Sequence, residues 1–309
     1  MADLVDYSGA FNPKARYEDF SKDTLVKLLK EYERAYLIVL GEWDRVLKER
    51  HSDTAALENN VSMWMTAGPL VEHHLCRTLN INVGNVESFF KAIQMDPGFP
   101  LMLFDNEFEL VNPNYGLITV KKCTALNAFE REGKGYEIPL CHIVEPSTMI
   151  NTALYHNPNM IFKPVQLPPR EDKGGIACKW EARIVPKSEH PFPYWRMAKR
   201  MGTSAPNNPR EAGKPWSEKQ IQTLWGYLSD DTKGVMRVIA RKPEGCLKDD
   251  IIRELGINAE EMSYRLGFLY LAIFETPWRQ KWAPVRCLVN PWRYKMDREW
   301  AQVIKKLSL

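Results

Sequence analysis

The sequence predicts an α+β protein, with N-terminal helices and a small, mostly antiparallel sheet followed by a winged helix-turn-helix domain. Three observations predict it. Apolar residues recur at three- and four-residue steps up to Ile93, then alternate from Phe104 onward. A stretch carrying Pro186, Pro191, Pro193, Pro206, Pro209 and Pro215 interrupts the pattern. Short helices, a glycine turn at Gly256 and a strand then follow in winged-helix order. The expected organisation is an α+β ligand- or metal-binding domain over 1–185, a semi-rigid linker over 186–215, and a winged helix-turn-helix domain over 216–309. A chain of 309 residues suits two domains at roughly 150 residues each.

Ser21 is the candidate N-cap of a first helix over 21–50, with Leu25, Leu28, Leu29, Tyr32, Tyr36, Leu40, Trp43 and Leu47 on one stripe. Asp53 caps a second helix to about Leu79, with a kink expected at Gly68-Pro69. Asn85 caps a third through Ile93. Phe104–Val111 and Leu117–Lys122 alternate as strands around the turn residues Asn112-Pro113-Asn114-Tyr115-Gly116, which predicts a hairpin. Thr124–Glu132 reads as a helix stopped by Gly133, and Pro146–Tyr155 as another with proline in its first turn. Met160–Leu167 and Ile176–Val185 read as further strands.

After the linker, helices are expected over Ser217–Tyr227, Thr232–Arg241, Leu247–Leu255 and Glu260–Phe274. A strand is expected over Ala283–Val289 and a closing helix over Asp297–Lys306. The Glu260 helix, capped by Asn258, occupies the place of a recognition helix. Its groove-facing candidates are Tyr264 and Arg265, joined by Arg279 and Lys281 between Trp278 and Trp282. Glu260 and Glu261 at its first turn would repel phosphates. A protein–protein or homodimerisation module is the alternative use of the same fold. The tail NPWRYKMDREWAQVI resembles the end of bacterial winged-helix domains.

Net charge is +3, but residues 213–309 hold 17 Lys and Arg against 12 Asp and Glu. The basic surplus sits in the C-terminal part, which makes DNA a candidate partner there. No segment approaches the roughly 20 apolar residues of a membrane span. The first residues carry acid and no apolar run, and six cysteines are spread widely, so reduced thiols in the cytoplasm are expected.

Cys123, Cys141 and Cys178 fall on or beside the expected sheet. Converging thiolates would suit zinc or iron, with His142 as a fourth ligand. Alternatively, Cys141 near a helix start is a nucleophile, with His142 or Glu130 moving protons. Inert core thiols are the plain alternative. Glu42, Asp44 and Glu72 could reach a pocket between the first two helices, but each reads better as part of a solvated face. The His73-His74 pair points two ways around a helix and reads as surface or core edge.

The order VKKCTALNAFEREGKG, IPLCHIV, IACKWEARI, after a helix containing YLIVLGEWDRVLKER, resembles the bacterial ATC hydrolase-like superfamily. Its namesake is L-2-amino-thiazoline-4-carboxylic acid hydrolase. The resemblance covers about residues 5–185 and implies an α+β pocket domain with Cys123, Cys141 and Cys178 as the matching triplet. It also implies hydrolysis of a C–N bond in a small substrate. The leading functional expectation is a cytosolic ligand- or metal-sensing regulator with winged-helix output, and a C–N hydrolase is the alternative. An interaction scaffold is the third.

Overall fold

The computed structural model describes residues 4–100, 104–191, 214–276, 278 and 281–308. It is an α+β fold of helices and small antiparallel sheets.

Helix α1 runs Lys22–Arg50, and Ser21 caps it by accepting the Thr24 N–H. No α1 residue is fully buried; Leu29, Tyr32 and Trp43 of the expected stripe are exposed, while Leu40 is half-buried against the interior. Helix α2 spans Asp53–Thr78 with Pro69 inside it, and its cap is Ser52 rather than Asp53. Helix α3, Val86–Ile93, starts from Asn85, which accepts the Ser88 N–H in a capping box.

Strands β1 (Phe104–Asn112), β2 (Tyr115–Cys123), β3 (Met160–Gln166) and β4 (Cys178–Ile184) form one antiparallel sheet in the order β1-β2-β4-β3. Ile118 pairs with Trp180 across β2 and β4, and the Phe162 and Trp180 rings stack at 5.1 Å. This face meets α3 through Phe89 and Phe90 in a compact apolar cluster.

Helix α4, Thr124–Glu132, stops at Gly133, whose φ of 66° is the left-handed conformation glycine adopts freely. Between it and the next expected helix lies an element the sequence reading did not foresee. A turn of helix, α5 (Glu137–Pro139), leads into a π-helical turn over Leu140–Val144, and this continues directly as α6 (Glu145–His156). The Glu145 N–H reaches back five residues to the Leu140 carbonyl.

The C-terminal part contains α7 (Glu218–Trp225), α8 (Asp230–Arg241), β5 (Cys246–Leu247), α9 (Lys248–Leu255), α10 (Ala259–Phe274), β6 (Val285–Leu288), β7 (Arg293–Met296) and α11 (Arg298–Leu307). Where the sequence suggested one strand, β6 and β7 pair as a hairpin with β5 on the other side of β7.

The two sequence segments do not close separate cores. One apolar cluster runs from Met65, Val144 and Ile150 into Leu266, Leu269 and Ile273 of α10 and on to Trp300 of α11. At the centre of this seam Gly267 meets α6 so closely that an added Cβ would lie 3.0 Å from Ile150 Cδ1 and 3.3 Å from the Pro146 carbonyl carbon. Polar links pin the same seam. Glu260 Oε1 accepts the Leu167 N–H at 3.3 Å, and Glu261 pairs with Lys163 at 2.5 Å.

Replacing Gly267 with valine should force the two helices apart and lower unfolding stability by about 1–3 kcal/mol. Chemical denaturation of the two proteins checks this; an unchanged midpoint would mean that the seam yields easily.

Candidate functional site

A cavity of about 860 Å³ lies between α1, α2, the buried sheet face, the π turn and the β6–β7 hairpin. That size is typical of a small-molecule site. Trp64, Phe99, Phe162 and Trp180 give it aromatic walls. Cys123, Cys141 and Cys178 all line it, together with Glu145. These four groups lie deep in the protein, yet each keeps accessible surface, because that surface faces the cavity.

Local structure explains each position. Cys123 is the last residue of β2 and caps α4, its Sγ accepting the Leu126 N–H at 3.3 Å. Cys178 opens β4, and the indole N–H of Trp180 donates to its Sγ at 3.2 Å. Cys141 lies on the π turn, and Glu145 follows one turn later as the first residue of α6. π turns within helices are frequent at functional sites because the extra residue redirects side chains.

Burial sets the protonation states. It pushes the Cys123 thiol up to about 11 and the Cys178 thiol up to about 12. It drives Cys141 well above the ordinary thiol value, and Cys123, Glu145 and Cys178 add to that rise, which marks the four as electrostatic neighbours. All three thiols therefore rest protonated at neutral pH. Desolvation raises the Glu145 carboxyl to about 7. Two further carboxyls on the cavity wall are raised to about 7 by burial. Asp96 is opposed by the Gly98 N–H it accepts, and Glu58 by the Ala283 N–H and by Arg286. Three carboxyls poised near neutrality in one cavity is the signature expected of acid–base work.

The other residues singled out from sequence lie elsewhere. His142, the neighbour of Cys141, faces away from the cavity. Its Nδ1 lies 2.6 Å from Ser263 Oγ on α10, and its Nε2 contacts the Pro168 carbonyl. Burial lowers its pKa to about 4, so it is a neutral tie between the two segments rather than a proton carrier or thiol-cluster ligand. Glu130 makes a two-pronged ion pair with Arg170 at 2.9 Å on each prong, which holds its carboxyl below the ordinary value and outside the cavity. Tyr264 is buried under Lys163 on the α10 seam, and Lys281 is buried with its Nζ donating to the Lys214 and Pro215 carbonyls. Arg265 pairs with Glu261 at 2.8 Å. A groove-reading helix must present such side chains to solvent, and α10 spends them on its own protein. Arg279 lies outside the described residues.

Among carboxylates near the first two helices, Asp44 lines the cavity in a pair with Lys48 at 2.6 Å, Glu42 is exposed, and Glu72 is fully buried rather than solvated. Among the described residues, the metal-binding side chains whose ligand atoms gather within 4.8 Å of one another are Glu72, Cys76 and His156, not the three cavity thiols. That buried group could hold a metal ion. Sequence reasoning missed Glu145, Asp96 and Glu58. The four-residue step from Cys141 to Glu145 was the available signal, since that spacing places both on one helical face.

No family model, curated protein or solved structure matches the chain.

The neutral state of His142 has a measurable consequence. Its pKa is lowered from 6.5 to about 4, so the unfolded chain binds a proton that the folded one refuses. The stability it contributes is fully present above pH 6.5 and drains away as pH falls toward about 4. Changing His142 to glutamine should cost about 1–3 kcal/mol at pH 7.5 by breaking the buried contacts. The gap from wild type should narrow on acidification. A gap that stays constant with pH would refute the neutral assignment.

Proposed function

We propose that the protein is a hydrolase acting on a C–N bond of a small ring-bearing or linear substrate. The observation that supports this is that Cys141 on the π turn and Glu145 at the start of α6, four residues on, both line one aromatic-walled cavity. In the reaction, Glu145 as carboxylate takes the Cys141 proton while the sulfur attacks the carbon of the C–N unit. The nitrogen leaves with the proton held by Glu145. Water, deprotonated by Glu145, then cleaves the acyl-type bond to sulfur and restores both groups. The separation between a high-pKa thiol and a base near 7 resembles that in serine–histidine pairs, where proton transfer accompanies attack. Lys48, Arg286 and Arg293 line the same cavity and suit a carboxylate on the substrate. The resemblance to ATC hydrolase-like proteins over the first segment points to the same reaction class. Zinc or iron is the metal class that suits the mixed oxygen, sulfur and nitrogen donors of Glu72, Cys76 and His156.

A second reading, a ligand- or metal-sensing regulator with a winged-helix output and DNA as partner, draws on one observation. Residues 286–289 and Arg293 of the C-terminal part form cavity wall, so a ligand touches both segments. Salt-sensitive retardation of duplex DNA that changes with ligand would support this reading, and its absence would remove it.

The hydrolase reading is tested with a panel of thiazolines, lactams and cyclic amidines carrying a carboxylate, followed by mass spectrometry for addition of one water. Turnover should rise with pH through about 7 as Glu145 ionises. Cys141→Ser and Glu145→Gln should each lower kcat at least about 100-fold, the scale of a lost general base or nucleophile. Unaltered turnover in both variants, or none across the panel in wild type, would overturn it.

A further inference from the structure

The buried group on α2 and α6 lies one helical turn beyond the cavity wall. Gly68 and Thr152 line the cavity, and Glu72 and His156 follow each of them by four residues. The helices touch at that wall: a Cβ on Gly68 would sit 2.6 Å from the Thr152 hydroxyl. Just past this contact, Glu72 Oε2 lies 2.8 Å from His156 Nε2, with both side chains completely buried. Cys76 follows Glu72 by four residues on the same face of α2, and its sulfur falls within the 4.8 Å cluster.

Two details distinguish this group from an ordinary buried hydrogen bond. The second carboxylate oxygen, Glu72 Oε1, is buried and has no hydrogen-bond partner. Leaving such an oxygen bare costs free energy unless something outside the protein satisfies it. The orientation of His156 is also fixed from behind. Ser88 Oγ lies 3.3 Å from His156 Nδ1, which holds the ring with Nε2 turned to Glu72. Nε2 is therefore the ring nitrogen presented to the carboxylate, and the one a metal would take.

We infer that Glu72, Cys76 and His156 form a zinc site that fastens α2 to α6. A cation seated among the carboxylate, Nε2 and Sγ replaces the hydrogen now shared between Oε2 and Nε2 and satisfies the bare oxygen. The donor set of one thiolate, one imidazole and one carboxylate belongs to zinc's ordinary range, with a fourth position for water. The thiol proton and the hydrogen displaced from between Oε2 and Nε2 both leave to solvent as the metal binds. The site is separate from the cavity thiols, so it stands or falls independently of the hydrolase reading.

The test uses the full chain, stripped of metal and titrated with cobalt(II), then competed with zinc(II). Wild type should take up one equivalent and show thiolate-to-cobalt charge transfer with tetrahedral d–d bands. Cys76→Ala should lose the charge-transfer band, and Cys76→Ala and His156→Gln should each weaken binding at least about 10-fold. Cys141→Ala should leave both band and affinity intact. Zinc should raise the melting temperature of wild type and of Cys141→Ala but not of Cys76→Ala. If a variant fails to fold, the wild-type and Cys141→Ala titrations still decide. A band lost in Cys141→Ala would place the metal at the cavity thiols and overturn the assignment. So would wild type that binds neither ion, or a band that survives in Cys76→Ala.

Discussion

The molecule depends on the burial of α6. This helix is covered by α2, α3, α10 and β3, so nearly every side chain on it must be satisfied inside protein. Its polar residues are. Ser147 and Thr148 bond back to carbonyls one turn earlier, and Asn151 donates to the Met65 carbonyl on α2. His156 faces Glu72, also on α2. A helix so enclosed carries no solvent face to absorb error, which is why small residues stand at its contacts, Gly267 on one side and Gly68 on the other. The π turn at its start then places Cys141 and Glu145 on the wall of the 860 Å³ cavity.

The same enclosure explains the unusual chemistry. Water is removed from thiols and carboxyls alike, so the thiols stay neutral and the carboxyls are held near an even balance of their two forms at neutral pH. A ligand entering with its own charge would alter that balance more strongly than it could at a wet surface. The basic side chains on the wall, Lys48, Arg286 and Arg293, come from α1 and from the β6–β7 hairpin, while Cys123, Cys141 and Cys178 come from the segment between them.

Much of the architecture was legible because local chemistry agrees with it. Ser21, Asn85, Ser217 and Asn258 each cap the helix that the sequence assigned to them. Gly133 and Gly256 each end one in the left-handed conformation. The hairpin around Asn112-Pro113 follows from turn residues between alternating strands. Less was legible at the site. The run Leu140-Cys141-His142-Ile143-Val144 carries no period long enough to announce a π turn, so the sequence places the helix start at Pro146 and gives Glu145 no role. Trp43 sits on the α1 stripe by spacing yet is 58% exposed, because only part of that long helix meets the body. Glu72 read as solvated because an acidic residue on a helix usually is; only the partner brought from α6 shows otherwise. The apolar residues of α10 reach across to α6, a contact between distant segments that spacing along one helix cannot reveal.

The late origin of the cavity wall bears on biosynthesis. Arg286, Cys287, Leu288, Val289 and Arg293 complete an enclosure whose other sides are set by residues before 181, apart from Tyr270. Synthesis must therefore pass Arg293 before the chamber is closed. Until then the thiols and their companion glutamate stand open to the translating cell's own solutes, and no bound guest can assist the first half in folding.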